Sequence, residues 1–169
     1  MAATVTINEH NSAVADTRTD KTSGVVRCRN SDSAVVDANN PLQKPAPAGF
    51  TRSYEKWLQL RIGATGPGGV ITNIQFYTTG GPGGGAVVYV RDTLPSVYAT
   101  PVSPANDTGT TDATTFTSGS RKAVGTGPYS SINTNIGNFC VLHMRLDDTV
   151  TAPQSPTSSL NLFFSYDET

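Results

Sequence analysis

The sequence predicts an all-β protein: an antiparallel β-sandwich, arranged like a jelly roll, with about eight to ten strands and long Gly- and Thr-rich loops. Apolar and polar residues alternate with a period of two in several segments, as they do in strands with one buried face. Many of the 16 glycines and 11 prolines cluster between those segments, where they interrupt sheet pairing. No window of about a dozen residues has the spacing of an amphipathic helix.

The alternation is clearest in five segments, which we predict as strands: residues 54–62, 70–77, 86–91, 138–146 and 159–166. In the first of these, Leu58, Leu60 and Ile62 share the inward face, and Trp57, Gln59 and Arg61 share the outward face. Weaker candidate strands are residues 4–8, 25–28, 34–37, 97–100 and 114–117, and a short stretch near Ile132.

The chain divides into a short N-terminal part and one larger unit. We predict an extended N-terminal strand or arm at residues 1–24 and a single β-sandwich domain at residues 25–169. Residues 9–24 and 38–50 are polar or Pro-rich, which is typical of arms that order only against a neighbour. The glycine-rich run at residues 80–85 leads into a strand without a GK[ST] sequence, so we interpret it as a flexible connection and not a phosphate loop.

The charge balance argues against a nucleic-acid partner. The chain has 12 Lys and Arg against 13 Asp and Glu, and no basic stripe that would displace counterions from phosphates. No apolar run approaches the roughly 20 residues that span a bilayer, and the polar start has no export signal, so no membrane association is expected. Without export, Cys28 and Cys140 are interpreted as free buried thiols, with a disulfide between them as the alternative.

Side chains with catalytic chemistry are few. We interpret His10 and His143 as ordinary surface histidines, and the pair Asp147 and Asp148 as a solvated turn, with calcium binding as the less favoured alternative. No nucleophile, base and orienting group occur together, so the sequence predicts no catalytic residues, no metal site, no cofactor and no enzymatic activity.

Four aromatic residues fall on the more polar faces of predicted strands: Trp57, Tyr77, Tyr89 and Phe163. Aromatic side chains bury a large area with few rotamers to freeze, so they suit a subunit interface or a sugar platform. A second apolar layer beneath loops is the third alternative. We predict an interface formed by these four residues.

Several segments resemble a family of virion structural proteins of tailed bacteriophages. The similar segments are TVTINEHN from Thr4, DKTSGVVRCRNSDSAVVDANNPL from Asp20, SYEKWLQLRI from Ser53, ITNIQFYT from Ile71 and LNLFFSYDE from Leu160. The resemblance implies a capsid decoration (cement) protein that is made in the host cytoplasm and binds the major capsid protein on the capsid exterior, as a homotrimer. Attachment to the neck or tail is the alternative position.

Two other functions stay open from the sequence. One is a carbohydrate-binding or receptor-binding module of a neck or tail fibre, with Trp57, Tyr77 and Tyr89 as stacking surfaces. The other is an enzyme, which would require a pocket with convergent polar groups.

Overall fold

A computed structural model describes residues 2–13, 17–35, 39–64, 66, 68–150 and 159–169. In these residues ten strands and a single 3-10 turn form two antiparallel sheets, which confirms the predicted all-β sandwich. The jelly-roll arrangement stays a prediction. The elements are β1 (Val5–His10), β2 (Arg18–Asp20), β3 (Phe50–Arg52), β4 (Lys56–Ile62), β5 (Ile71–Gly80), β6 (Ala86–Arg91), β7 (Thr110–Asp112), the 3-10 turn Ala113–Thr115, β8 (Lys122–Gly125), β9 (Thr134–Asp147) and β10 (Leu160–Glu168).

The two sheets differ in size. The larger sheet has the order β2-β1-β4-β9-β6-β7, and β3 pairs with the end of β9 beyond β4. The smaller sheet has the order β10-β5-β8. The long strand β9 is therefore central to the larger sheet, with β4 and β3 on one side and β6 on the other.

The main core lies between the sheets. Leu58, Leu60 and Ile62 of β4 are at most 1% exposed and pack against residues of β5, β6, β8 and β9, as their alternation predicts. In β5 the alternation changes at Asn73, whose φ is 51°. Ile71 is therefore buried, whereas strict alternation from Ile74 would put Val70 and Thr72 on the buried face.

Most of the weaker strand predictions are wrong, apart from residues 4–8, which overlap β1. Residues 25–28 and 97–100 run without sheet pairing, 114–117 fall largely in the 3-10 turn, and the stretch near Ile132 is a turn before β9. Of residues 34–37, the first two are not in a strand and the last two lie outside the described residues. Val26, Tyr98 and Phe116 of these segments pack against buried clusters without joining a sheet. A short apolar run alone does not distinguish such covering from pairing.

The N-terminal residues belong to the larger sheet. All six residues of β1 pair with β4, and β2 pairs with β1. The predicted arm at residues 1–24 thus contributes strands to the sandwich itself. We name residues 21–35, which follow β2, the covering segment. It extends over the part of the inner face that the smaller sheet leaves open. Two backbone hydrogen bonds hold it: Lys21 N donates to Ile7 O (2.7 Å), and Tyr54 N donates to Arg29 O (3.0 Å).

The glycine-rich run at residues 80–85 is not uniformly free to move. Gly85 has φ 75°, and a Cβ there would lie 2.4 Å from the backbone nitrogen of Val150. We expect Gly85→Ala to lower the free energy of unfolding by about 2 kcal/mol or more, because an L side chain in this conformation is strained and would also collide with backbone. Denaturant titration measures the change.

Gly84→Ala is the matched control for that substitution. A Cβ at Gly84 meets nothing within 4 Å, and its φ is not in the left-handed region. We expect Gly84→Ala to be neutral or slightly stabilising. Equal effects of the two substitutions would contradict the described packing of the run against Val150.

Candidate interaction surface

The four predicted interface aromatics lie on two opposite faces of the sandwich. Trp57 and Tyr89 are on the outer face of the larger sheet, opposite His10 and His143 respectively in the strand registers. Tyr77 and Phe163 are directly opposite each other on the outer face of the smaller sheet. The four side chains therefore do not form one surface.

Trp57 is an internal residue in this structure. It is 1% exposed, its ring centre lies 5.3 Å from that of Tyr98 and 5.4 Å from that of Phe139, and its Nε1 donates to Glu55 Oε2 (3.1 Å). Val141 completes this second apolar cluster. Trp57 is thus unavailable to a partner, and internal packing beneath a loop is the alternative that describes it.

The loop that covers Trp57 connects β6 to β7 and comprises residues 92–109; we name it the outer loop. It lies along the outer face of the larger sheet: Phe139 N donates to Pro95 O (2.9 Å), and Glu55 N donates to Val102 O (2.9 Å). Tyr98 donates through its hydroxyl to Ser12 O (2.6 Å), and burial raises its pKa to about 12. The larger sheet is consequently buried on parts of both faces.

Asp107 anchors the far end of the outer loop. Arg52 donates to both carboxylate oxygens, from Nε to Oδ1 at 2.7 Å and from Nη2 to Oδ2 at 2.9 Å. Arg145 Nη1 donates to Oδ2 (2.9 Å), and His143 Nε2 lies 3.0 Å from Oδ1. Hydrogen bonds from Arg52, and then from His143 and Arg145, hold the pKa of Asp107 well below its ordinary value.

Both histidines are buried, so the prediction that they are surface residues is wrong. His143 is 2% exposed and stacks on Tyr89, with ring centres 5.4 Å apart; burial lowers its pKa, although Asp107 acts in the opposite direction. The neutral ring donates from Nε2 to the carboxylate of Asp107. His10 is 1% exposed and meets the ring of Phe139 edge-on at 5.1 Å. The sequence does not reveal that a loop covers this face.

Tyr89 belongs to the same anchored region. It is half-buried, stacks on the ring of His143, and has the guanidinium of Arg145 5.2 Å from its ring centre. Its contacts are therefore mainly internal.

Tyr77 and Phe163 are the two of these four aromatics that lie together at the surface. Their rings stack with centres 5.0 Å apart and planes 11° apart, and Phe163 is 39% exposed. The guanidinium of Arg121, next to β8, lies 5.1 Å from the centre of the Tyr77 ring. We name these three residues the aromatic patch. They form a row from β10 across β5 to the residue before β8, on the smaller sheet, whose inner face packs into the core.

The polar groups with catalytic potential are engaged in internal contacts. A polar hollow beside His143 is lined by Glu55, Arg91 and residues 104–106 and 108–110, but Glu55 Oε1 accepts from Arg91 Nε (3.1 Å) and His143 is bound to Asp107. Asp147 accepts from Thr149 N (2.9 Å) within a turn. Within the described ranges, no three His, Cys, Asp or Glu side chains are grouped so that they could hold a metal ion.

Both cysteines are free thiols, as the sequence predicted, but only Cys140 is fully buried and Cys28 is half-buried. Burial raises the pKa of each thiol, so both are kept protonated and are poor nucleophiles. The described part of the chain also has no helix that is long and apolar enough to cross a bilayer.

The structure contains a buried ionic cluster that the sequence analysis does not predict. Glu9 and Lys56 are fully buried, with Lys56 Nζ 2.9 Å from Glu9 Oε1, and Lys21 Nζ lies 3.7 Å from Glu9 Oε2. Lys56 also donates to Ser33 O (2.6 Å) in the covering segment. One signal was available: the alternation of β4 places Lys56 on the same face as Leu58, which is the inward face.

No family model, no curated protein and no solved structure matches this chain. The resemblance to phage virion proteins therefore rests on the strand sequences alone.

Proposed function

We propose that this protein is a non-enzymatic structural protein of a bacteriophage particle, which decorates the capsid exterior by binding the major capsid protein and so stabilises the shell. The aromatic patch is the observation that carries the proposal. It presents Phe163 and Tyr77 on a sheet whose other face is fixed in the core. Rigid aromatic side chains flanked by an arginine have the composition of interface hot spots.

The geometry of the patch favours a protein partner over a sugar. A sugar ring binds against a free aromatic face. Tyr77 lies between Phe163 on the β10 side and Arg121 on the β8 side, so neighbouring side chains occupy both sides of its ring. Trp57, the largest of the residues assigned to sugar stacking, is buried. The carbohydrate-binding alternative therefore has little exposed ring surface.

Binding of the purified protein to shells that lack it tests the role of the patch. We expect Tyr77→Ser combined with Phe163→Ser to weaken cosedimentation with the shells by at least about tenfold, since losing one hot-spot aromatic costs about 2 kcal/mol or more. The fold should persist, because a cross-strand aromatic pair contributes only about 0.2 to 1 kcal/mol. Circular dichroism checks the fold.

Val97→Ser is the matched control. Val97 is 76% exposed on the outer loop, at the opposite face of the sandwich, so its replacement also removes exposed apolar area. We expect binding to be unchanged. Equal binding by wild type and the double variant would exclude the patch as the docking surface.

The location is tested separately by a cryo-EM reconstruction of the particle that contains this protein. We expect three copies together on the outer capsid surface, and mass photometry of the free protein should give a trimer. A position in the neck or tail would remove the decoration role while leaving a virion role intact.

A further inference from the structure

Three buried side chains meet on the inner face of the larger sheet, outside the aromatic patch and the outer loop. Glu9 and Lys56 are 0% exposed and Asn11 is 6% exposed. One oxygen, Glu9 Oε1, contacts both of the others: it is 2.9 Å from Lys56 Nζ and 3.3 Å from Asn11 Nδ2. An amine and a carboxamide thus share one carboxylate oxygen in a site shielded from water.

The strand register brings the amine and the carboxamide together. His10 of β1 is opposite Trp57 of β4. Continuing this antiparallel register by one residue places Asn11 opposite Lys56, and opposite residues have Cβ atoms about 4.5 to 5.5 Å apart. Glu9 is two residues before Asn11, so it projects from the same face. Neighbouring strands therefore present the nucleophile and the electrophile of an acyl transfer.

We propose that Lys56 and Asn11 are joined by an isopeptide bond between Nζ and Cγ, and that Glu9 promotes its formation. The proton of the Lys56 ammonium passes to Glu9 along their hydrogen bond, and the amine attacks Cγ of Asn11. As the new C–Nζ bond forms, Nζ loses its second proton, the C–Nδ2 bond breaks, and both protons lost from Nζ pass by way of Glu9 to Nδ2, which leaves as ammonium. Lysine ammonium and asparagine carboxamide become one secondary amide and one ammonium ion, so no oxidant or other reactant is needed.

The hydrogen bonds of Asn11 favour a reactive role of its amide over a purely structural one. Its Nδ2 donates to Asp32 Oδ1 (2.8 Å) as well as contacting Glu9, so two carboxylates surround the nitrogen that leaves. Its Oδ1 is buried without a hydrogen-bond partner. A buried amide that served the fold alone would be expected to satisfy its oxygen too. Glu9 contacts both the nucleophile and the leaving group, which is the position of a proton shuttle.

Mass spectrometry of the full chain tests the bond directly. We expect the intact mass to be lower than the sequence mass by one ammonia. Trypsin should leave residues 1–18 covalently attached to residues 53–61, with no cleavage after Lys56, because acylated lysine is not a trypsin site. This measurement uses the wild-type protein, so it does not depend on any variant folding.

Variants then assign the roles. Lys56→Arg and Asn11→Ala should each restore the full mass, and Glu9→Gln should slow bond formation by about a hundredfold or more, as loss of a proton shuttle does. Lys21→Arg is the control and should retain the joined peptide. Lys21 Nζ is 3.7 Å from Glu9 Oε2, whereas Lys56 and Asn11 contact Oε1, and Lys21 donates to Ala34 O.

Two results would overturn the proposal. The first is two separate peptides at full mass. The second is an ammonia loss confined to the peptide of residues 1–18, which indicates a succinimide between Asn11 and Ser12 in place of the crosslink.

Discussion

Leu60→Asp is expected to prevent the chain from folding. Leu60 is 1% exposed between the two sheets and is paired with Ile7 on one side and Ile136 on the other. An unpaired charge there costs several kcal/mol, against a total stability of about 5 to 15 kcal/mol. Soluble expression, followed by circular dichroism and proteolysis of whatever is soluble, measures the effect.

Arg61→Asp is the control for the same strand. Arg61 is the next residue, half-buried on the other face, opposite Thr6 and Asn135. We expect a change within about 0.5 kcal/mol, as for most substitutions outside a core. If the two aspartates were equally harmful, the assignment of the faces of β4 would be wrong.

Asp107→Asn should release the outer loop. The substitution keeps the side-chain shape but removes the charge that binds Arg52, Arg145 and His143. We expect a loss of about 1.5 to 3 kcal/mol, the range for hydrogen bonds to charged groups. Trp57 is the only tryptophan and lies beneath this loop, so its fluorescence should shift to longer wavelength if the loop opens.

The control for this prediction is Asp92→Asn, at the beginning of the same loop. Asp92 Oδ1 accepts from Thr111 Oγ1 (2.6 Å) at the surface, and an asparagine oxygen accepts the same bond. Its effect should stay within about 0.5 kcal/mol. A larger effect at Asp92 than at Asp107 would contradict the anchor that we describe.

The contribution of Asp107 should depend on pH in a defined direction. Its folded-state pKa is below the ordinary 3.8, so the unfolded chain takes up the proton first as the pH falls. The stabilisation is therefore complete well above pH 3.8 and is lost as the pH falls from there through the folded-state pKa. Denaturation curves of wild type and Asp107→Asn should converge in this acid range and differ fully at neutral pH.

The sequence predicted which segments pair as strands better than it predicted which outward faces are buried by loops. Alternation located the strands that became β4, β5, β6, β9 and β10, because a strand with one core-facing side imposes period two on its residues. It assigned Trp57 and His143 to the outer face, where they lie, but it did not predict their burial, because that burial depends on a loop held by distant side chains. Nothing in the pattern near Asp107 indicates that Arg52 and Arg145 bind it.

The candidate sites were predicted only in part. Tyr77 and Phe163 were both assigned to outward faces of segments that are strands, and they lie together as cross-strand neighbours. The cluster of Glu9, Lys56 and Asn11 was missed, because charged and polar residues are usually exposed and their burial depends on which strands become neighbours. Strand order is decided by tertiary packing, which one sequence does not display.

The central position of β9 also determines when the larger sheet can assemble. Its pairing with β4 joins residues about 80 positions apart, as Leu58 and Cys140 show. Such pairing has the entropic cost of closing a large loop before the contacts can stabilise the fold. Folding is therefore expected on a scale of milliseconds to seconds, slower than for helical domains. During synthesis β4 has one neighbour at most until β9 leaves the ribosome, so the nascent sheet keeps an open edge for most of translation.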